Sequence, residues 1–566
     1  MSGIELSPAW TLILGAALVP FLRGAARGAW TVALPLAGMV QLWLLPTGEY
    51  GQLQFLGEQL VFVRVDRWSV LFSLVFLIAA LVSSIYALHL REGDWVQPAA
   101  GLAYAGAAIG AVLAGDLLTL FVFWELTAVT SVFLIWARRT QRAYRAGMRY
   151  IVIQLLSGML LLFGALQQLA ATGSLRFEHI GLEAPGGLLI FLAFGIKCAF
   201  PLLHNWLQDA YPEATEAGTV FLSAFTTKLA VYALARGFSG TEALIWIGAT
   251  MTAFPIFYAV IENDLRRVLA YSLNNQLGFM VVGIGIGSEL ALNGTASHAF
   301  SHILYKALLF MSMGAVLYRV GTVNGSELGG LYKSMPWTTG FCIVGAASIS
   351  AFPLFSGFIS KSMILSAAAG EGLLVTWLVL LFASAGVFHH SGIKIPYFAF
   401  FAHDSGKRCQ EAPPNMLVAM AITAVLCVGI GVYPDPLYAI LPFPVDYAPY
   451  TGSHVLAQLQ LLLFSALAFS VLMRTGIYPP EMRRLNLDSD WFYRRLAPRL
   501  AIGVSMLFAL SATALRALRD GAMERIGGAI RRHHGADGVL ARTWTTGGMA
   551  LWAAILLAAY LLLYYS

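Results

Sequence analysis

Seven lysines stand against twenty-eight arginines in this chain, and five of those lysines fall where a charge is least welcome. Lys197, Lys228, Lys306, Lys361 and Lys394 lie inside long apolar runs, whereas Lys333 and Lys407 lie in polar loops. A charged side chain at the centre of a membrane helix costs about 2.5–3.5 kcal/mol on insertion scales. Four or five of them, unpaired and facing lipid, would cost on the order of 10 kcal/mol. They must therefore face the protein interior, water or one another. Lysine can also release its proton near neutrality in a buried setting, which arginine effectively cannot. A row of buried lysines is suited to proton hopping through intervening water.

Glu125, in FVFWELTAVTS, is the complementary acid, with no other charge between Asp116 and Arg138. Ionisable groups inside a membrane span are functional by default. A Glu–Lys pair whose separation or hydration changes is a switch; the plainer alternative is a static ion pair that fixes helix register. His298, His302 and Lys306 recur at i, i+4 and i+8 in ASHAFSHILYKALLF, which lines one helix face. Histidine titrates near neutrality and serves as a relay. Two histidines at this spacing also suit zinc. The glutamate of HExxH is missing, however, and Lys306 on the same face repels a cation, so no metal is expected. Histidines bonded to neighbouring helices remain the plain alternative. Lys361 ends AFPLFSGFISK, where Pro353 and Gly357 loosen the helix and open carbonyls to water. Lys394 stands just before Pro396, is placed to snorkel to the interface, and ranks last in the row.

The elements that must hold these residues are helices. The 566 residues are 58% hydrophobic and 11% charged, against about 25% charged in soluble proteins. With a mean hydropathy of +0.73, soluble classes are excluded. Seventeen apolar segments recur, most of them long enough to cross a hydrocarbon core of roughly 30 Å. Barrel-type alternation is absent. The expectation is an all-α, polytopic membrane protein of about 14–17 transmembrane helices. Only 51–66 alternates apolar and polar residues, as a short β-hairpin or an interfacial loop would.

The net charge of +6 calls for no nucleic-acid partner, because it sits in short arginine-bearing loops. Placing Arg138, Arg139, Arg142, Arg145 and Arg149 in the cytoplasm puts the N-terminus outside. The opening MSGIELSPAW lacks a basic region and does not read as a cleavable signal. Cys198, Cys342, Cys409 and Cys427 make no metal spacing. Near the C-terminus, 498–516 reads as a span, or 505–532 as an amphipathic interfacial helix. The latter would be about 42 Å long, too short to brace several neighbouring subunits. AFPL occurs at 199–202 and again at 351–354, each copy in an apolar segment with a lysine nearby. A mid-membrane proline breaks a helix, and paired broken helices in two halves of a chain point to a transport site.

Several stretches carry a family resemblance. FWELTAVTS, GIKCAFPLLHNWLQDAYPEA, SAFTTKLAVYALAR, NDLRRVLAYSLNNQLGFM, HAFSHILYKALLF, LGGLYKSMPWT and AFPLFSGFISK follow in order across about 115–365. In this the chain resembles the antiporter-like subunits shared by Mrp-type multisubunit Na+/H+ antiporters, respiratory complex I and membrane-bound hydrogenases. The resemblance implies two inverted five-helix repeats with broken helices, near 97–236 and 237–402. N-terminal helices at 1–96 and an extension at 403–566 flank them. It implies that Glu125 and Lys197 form a coupled pair, that Lys228 and Lys306 lie on a central hydrophilic axis with His298 and His302 as relays, and that Lys361 ends the row. Within the family, HSGIKIPYFAFFAHDSG and NLDSDWFYRR look like a bacterial group of D-type Mrp subunits, although 475–566 makes this chain longer than a typical member.

The resemblance further implies a proton-translocating or cation:proton antiporter subunit in a bacterial inner membrane. Its partners would be other membrane subunits, the lipid bilayer, protons and Na+ or K+, and it would hold no cofactor of its own. A proton-pumping subunit of complex I or a hydrogenase, and the membrane half of an inorganic-carbon uptake system, are alternatives on the same fold. An intramembrane hydrolase or acyltransferase using His298 or His302 is the competing class, but GxSxG and HExxH are both absent.

Overall fold

The computed structural model of the chain describes residues 7–55, 57–91, 93–482, 486 and 488–566. Residues 1–6 of the opening stretch and Leu487 of the tail motif lie outside them. Helices α1 (Pro8–Leu18) and α2 (Gly24–Leu44) lead into a two-stranded hairpin, β1 (Gly48–Phe55) with β2 (Glu58–Val65). The hairpin pairs antiparallel with Gly48 opposite Val65 and Leu53 opposite Leu60, so 51–66 is a hairpin that begins three residues early. Then come α3 (Arg67–Tyr86), α4 (Val96–Leu113), α5 (Leu117–Trp136) and α6 (Gln141–Thr172). Acidic side chains between these segments are mostly caps. Asp66 accepts from the Ser69 amide at the start of α3, and Asp116 accepts from the Thr119 amide at the start of α5.

The next segments are interrupted. The apolar run 186–208 divides into α7 (Gly187–Lys197) and α8 (Asn205–Ala210), and 216–236 divides into α9 (Glu216–Ala224) and α10 (Thr226–Gly237). Helices α11 (Ala243–Ile261), α12 (Leu265–Ile286) and α13 (Glu289–Val320) follow unbroken. The run 336–366 divides again, into α14 (Pro336–Ile349) and α15 (Ser356–Gly370). Beyond α16 (Leu374–Val387), the backbone widens into π turns at Phe388–Ile393 and Tyr397–Phe401 on either side of Pro396. A proline inside a helix removes a donor and crowds the carbonyl four residues back, and a π turn accommodates both faults. Helices Pro414–Val432 and Gly452–Arg474 complete this unit, which ends at Asn486.

The seventeen apolar segments read from the sequence each coincide with a helix or a broken helix pair. Twelve helices among the described residues are long and apolar enough to cross a membrane. Helix α13 runs through the core, buried at every position from Ala291 to Val316. Helices α11 and α12 approach closely at Gly248 and Gly278. A Cβ on Gly278 would lie 2.6 Å from the Gly248 carbonyl oxygen, the close packing that small residues allow between membrane helices.

Residues beyond Asn486 form a separate unit. It holds a π turn at Phe492–Leu496, the 38-residue helix Ala497–His534 and the 20-residue helix Thr546–Tyr565. The two readings of 498–532 are thus one helix, which runs on through Arg516, Arg519, Gly521, Gly527 and Gly528 without interruption. At 1.5 Å per residue it is about 57 Å long, which corrects the shorter expectation and removes the objection that it cannot brace neighbours.

Candidate functional site

The two AFPL copies share one backbone. Ala199 and Leu202 have φ of 61° and 69°, and Ala351 and Leu354 have 56° and 74°. These are left-handed conformations that cost a non-glycine residue roughly 1–2 kcal/mol each. Their hydrogen bonds match as well: Phe200 N donates to Gly195 O and Phe352 N to Ala347 O, both at 3.0 Å. The Ala199 and Ala351 amides each donate at 3.1 Å to the carbonyl three residues back. The lysines sit on opposite sides of the two breaks. Lys197 closes α7 just before the first, and Lys361 lies within α15 just after the second.

Lys197 is fully buried. Its Nζ donates to the Trp124 carbonyl at 2.5 Å and the Thr127 hydroxyl at 2.9 Å, and stands 4.5 Å from the centre of the Trp124 ring. Trp124 is held from behind by Ser157, which accepts from its indole at 3.0 Å and donates to the Ala193 carbonyl at 2.7 Å. Glu125 lies one residue from these contacts on α5. Its Oε1 is buried with no hydrogen-bond partner, in a notch on α6 left by the missing side chain of Gly158. Glu125 and Lys197 are therefore electrostatic neighbours without a direct ion pair.

Lys228 donates to the Ser223 carbonyl at 2.7 Å, an acceptor freed by a break at Phe225 inside what the sequence presents as one span. Cys198, the residue after Lys197, interacts electrostatically with Lys228. From Lys228 the polar groups continue on α13. His302, His298 and Lys306 all interact electrostatically with it. Both ring nitrogens of His302 are buried without a partner. His298 shares a hydrogen bond of 3.0 Å with Ser360 of α15, and Tyr305 reaches Gln276 of α12 at 3.1 Å. Lys306 donates to Ser272 at 2.9 Å and the Leu269 carbonyl at 3.2 Å. Lys361 donates to the Ile349 carbonyl at 2.8 Å and lies 5.1 Å from the Phe279 ring centre.

All four of Lys197, Lys228, Lys306 and Lys361 are thus buried and hold broken-helix carbonyls, hydroxyls or ring faces. None of them has a carboxylate within ion-pair distance among the described residues, a setting in which an amine can both hold and release a proton. Buried polar side-chain atoms without protein partners, such as those of His302, Asn274 and Gln154, are groups of the kind that ordered water satisfies.

Lys394 corrects the sequence reading. It does not snorkel; its side chain is fully buried and ion-paired to Glu481 at 2.9 Å. Pro396 and the π turns direct it inward, and the segment after Gly452–Arg474 covers it. Sequence reasoning also missed Thr127, Gly158, Ser223, Ser272 and Ser360. Small and hydroxyl residues are common in membrane helices and give no spacing signal.

The family model described as "NADH:quinone oxidoreductase/Mrp antiporter, TM" matches residues 114–388. The chain is 30% identical over 352 residues to the D subunit of the Na(+)/H(+) antiporter of Alkalihalophilus pseudofirmus, covering 58% of this chain and 71% of that one. It is 28% identical over 415 residues to hydrogenase-4 component B of Escherichia coli, covering 65% of this chain but only 62% of the relative. Among solved structures, a chain of the Mrp complex from Dietzia sp. DQ12-45-1b matches with a TM-score of 0.73 and 24% identity. That match covers 98% of this chain and 62% of the other, and it establishes a shared fold.

Proposed function

We propose, from the premise that this chain belongs to the NADH:quinone oxidoreductase/Mrp antiporter transmembrane family, that it is a proton-translocating subunit of a multisubunit cation:proton antiporter. Protons move along Glu125, Lys197, Lys228, His302, His298, Lys306 and Lys361. The observation that carries this reading is the burial of all four row lysines against backbone carbonyls and hydroxyls, where an amine can exchange protons with water and a fixed carboxylate is absent among the described residues. The likeness to the D-type component of an Na+/H+ antiporter favours Na+ or K+ exchange over a redox-driven pump. A subunit of complex I or of a hydrogenase is the second reading, favoured by the match to the hydrogenase component. Inorganic-carbon uptake is a third use of the same path.

The working layout keeps the repeats at 97–236 and 237–402 and the arginine-rich 138–149 loop in the cytoplasm, with the N-terminus outside a bacterial inner membrane. Its support is the arginine bias itself and the tying of that loop to one face. Arg149 pairs with Asp209 at 2.6 Å and Arg138 with Glu213 at 3.6 Å. The decisive experiment is ion exchange in everted vesicles bearing the whole complex. Glu125→Ala and Lys197→Ala should each abolish exchange while the complex still assembles. Full activity in either variant would overturn the coupled-pair reading.

A further inference from the structure

A second line of polar groups leaves the row at Lys306 and runs toward the end of α11 that carries Glu262. Ser272 accepts from Lys306 at 2.9 Å and from the hydroxyl of Ser391 at 2.7 Å. Ser391 in turn shares a hydrogen bond of 2.9 Å with Nδ1 of His390. All of these groups are fully buried. The other ring nitrogen of His390 is buried without a partner. Its ring interacts electrostatically with Lys306, His389, Lys394 and Lys361. One helical turn on, Lys394 donates to the carbonyls of Ala259, Val260 and Glu262 and pairs with Glu481. Glu262 is buried beside them, accepts from Asn486 at 3.3 Å and stands 3.9 Å from Arg267. Burial, opposed by Lys394, holds the Glu481 carboxyl above the usual carboxylate range, and burial does the same for Glu262 against Arg267.

A capping lysine at the end of α11 needs only the three carbonyls. It accounts for neither the buried carboxylate nor the serine–histidine chain behind it. The widened backbone adds a second observation, since π turns inside helices gather at functional positions and here one of them carries His390 and Ser391 inward.

We propose that Glu481, Lys394, His390, Ser391 and Ser272 form a proton branch joining Lys306 to the end of α11, where buried Glu262 stands beside the partly exposed Arg267, with the Lys394–Glu481 ion pair as its gate. A proton arriving on Glu481 breaks the pair. The Lys394 ammonium passes its own proton to the free nitrogen of His390, through water, and recovers one from Glu481. His390 releases a proton from Nδ1 through the Ser391 and Ser272 hydroxyls to a deprotonated Lys306. One proton enters and one is delivered; His390 is left as its other tautomer with the serine hydroxyls turned, and a ring flip with hydroxyl rotation resets them for the next proton.

The branch rests on the proposed function, and the test separates the two. Everted vesicles carrying the full complex are compared for wild type, Glu125→Gln, His390→Gln, Glu481→Gln and Glu481→Asp. Glutamine at 390 keeps a hydrogen-bonding group for Ser391 but cannot relay a proton. The expected result is a loss of at least tenfold in exchange for His390→Gln and Glu481→Gln, with substantial recovery in Glu481→Asp. Wild-type exchange in His390→Gln overturns the branch, even where Glu125→Gln is inactive and the main row stands. An active Glu125→Gln sinks the main row instead. Should Glu481→Gln fail to assemble, His390→Gln and Ser391→Ala decide: loss in both supports the branch, and full activity in both refutes it.

Discussion

Gly158→Ala is the smallest change that addresses the Glu125 carboxylate without touching it. A Cβ built at Gly158 collides with the carboxyl carbon and Oε1 of Glu125 and comes within 3.1 Å of its Cγ. The obstacle is the far end of a flexible side chain, so the helices need not separate. The carboxylate must hop to another rotamer, a displacement on the order of 2 Å. Proton transfer works over heavy-atom distances of about 2.6–3.2 Å, directly or through one water, and misplacement by about 1 Å can cost 10²-fold. Exchange should therefore fall roughly 10- to 100-fold. Assembly should persist, because alanine in place of glycine favours a helix interior by about 1 kcal/mol. The assay is collapse of a preformed pH gradient in everted vesicles on addition of Na+ or K+, normalised to assembled complex. A double variant with Glu125→Asp, whose shorter side chain clears the notch, should be more active than Gly158→Ala alone. Wild-type exchange in Gly158→Ala, or strictly multiplicative losses in the double variant, would refute the notch as the seat of the carboxylate.

Thr127→Val removes an acceptor for Lys197 and a donor to the Trp124 carbonyl. Hydrogen bonds to charged groups contribute about 1.5–3 kcal/mol, so exchange should slow by about tenfold or more, measured in the same vesicles. At Ala351, which has φ of 56°, detergent-solubilised protein should rank Gly at or above Ala and Ala above Val in thermal midpoint, since a β-branched residue tolerates that conformation worst. Asp66 is partly buried, but the Arg236 Nη2, which donates to both of its oxygens, and the Ser69 amide outweigh burial and hold its carboxyl below the ordinary range. A lowered folded-state pKa stabilises above the ordinary pKa and is lost as pH falls through the folded value. Asp66→Asn should accordingly lower the thermal midpoint at neutral pH, with the difference shrinking in acid.

Much of the row is legible in the sequence because hydrocarbon surroundings make every charge conspicuous. Lys197, Lys228, Lys306, Lys361 and Glu125 stand out against apolar residues, and the i, i+4, i+8 set on α13 follows from helical period alone. The AFPL repeat also locates two of the broken helices, α7–α8 and α14–α15. What stays hidden depends on tertiary contact. The break at Phe225 has no proline or glycine to announce it. Gly158 is one glycine among 55 until Glu125 is seen against it. Lys394 is misread from the sequence because its partner Glu481 is 87 positions away in a segment with no apolar period. The 38-residue helix at Ala497–His534 reads as two alternatives because its first half is apolar and its second half charged.

The paired left-handed turns in the two broken helices have a consequence for timing. Each turn is pinned by matching i→i−5 and i→i−3 hydrogen bonds, so neither is a slack joint. A rail held this rigidly is not expected to swing with every ion. The parts left to respond are the lysine side chains and water between them, local rearrangements of a few groups, against the microseconds to milliseconds of rocking domains. The path would then behave less like a door than like a row of valves, each opened by wetting and closed by drying, with the slow step set by charge transfer between neighbours.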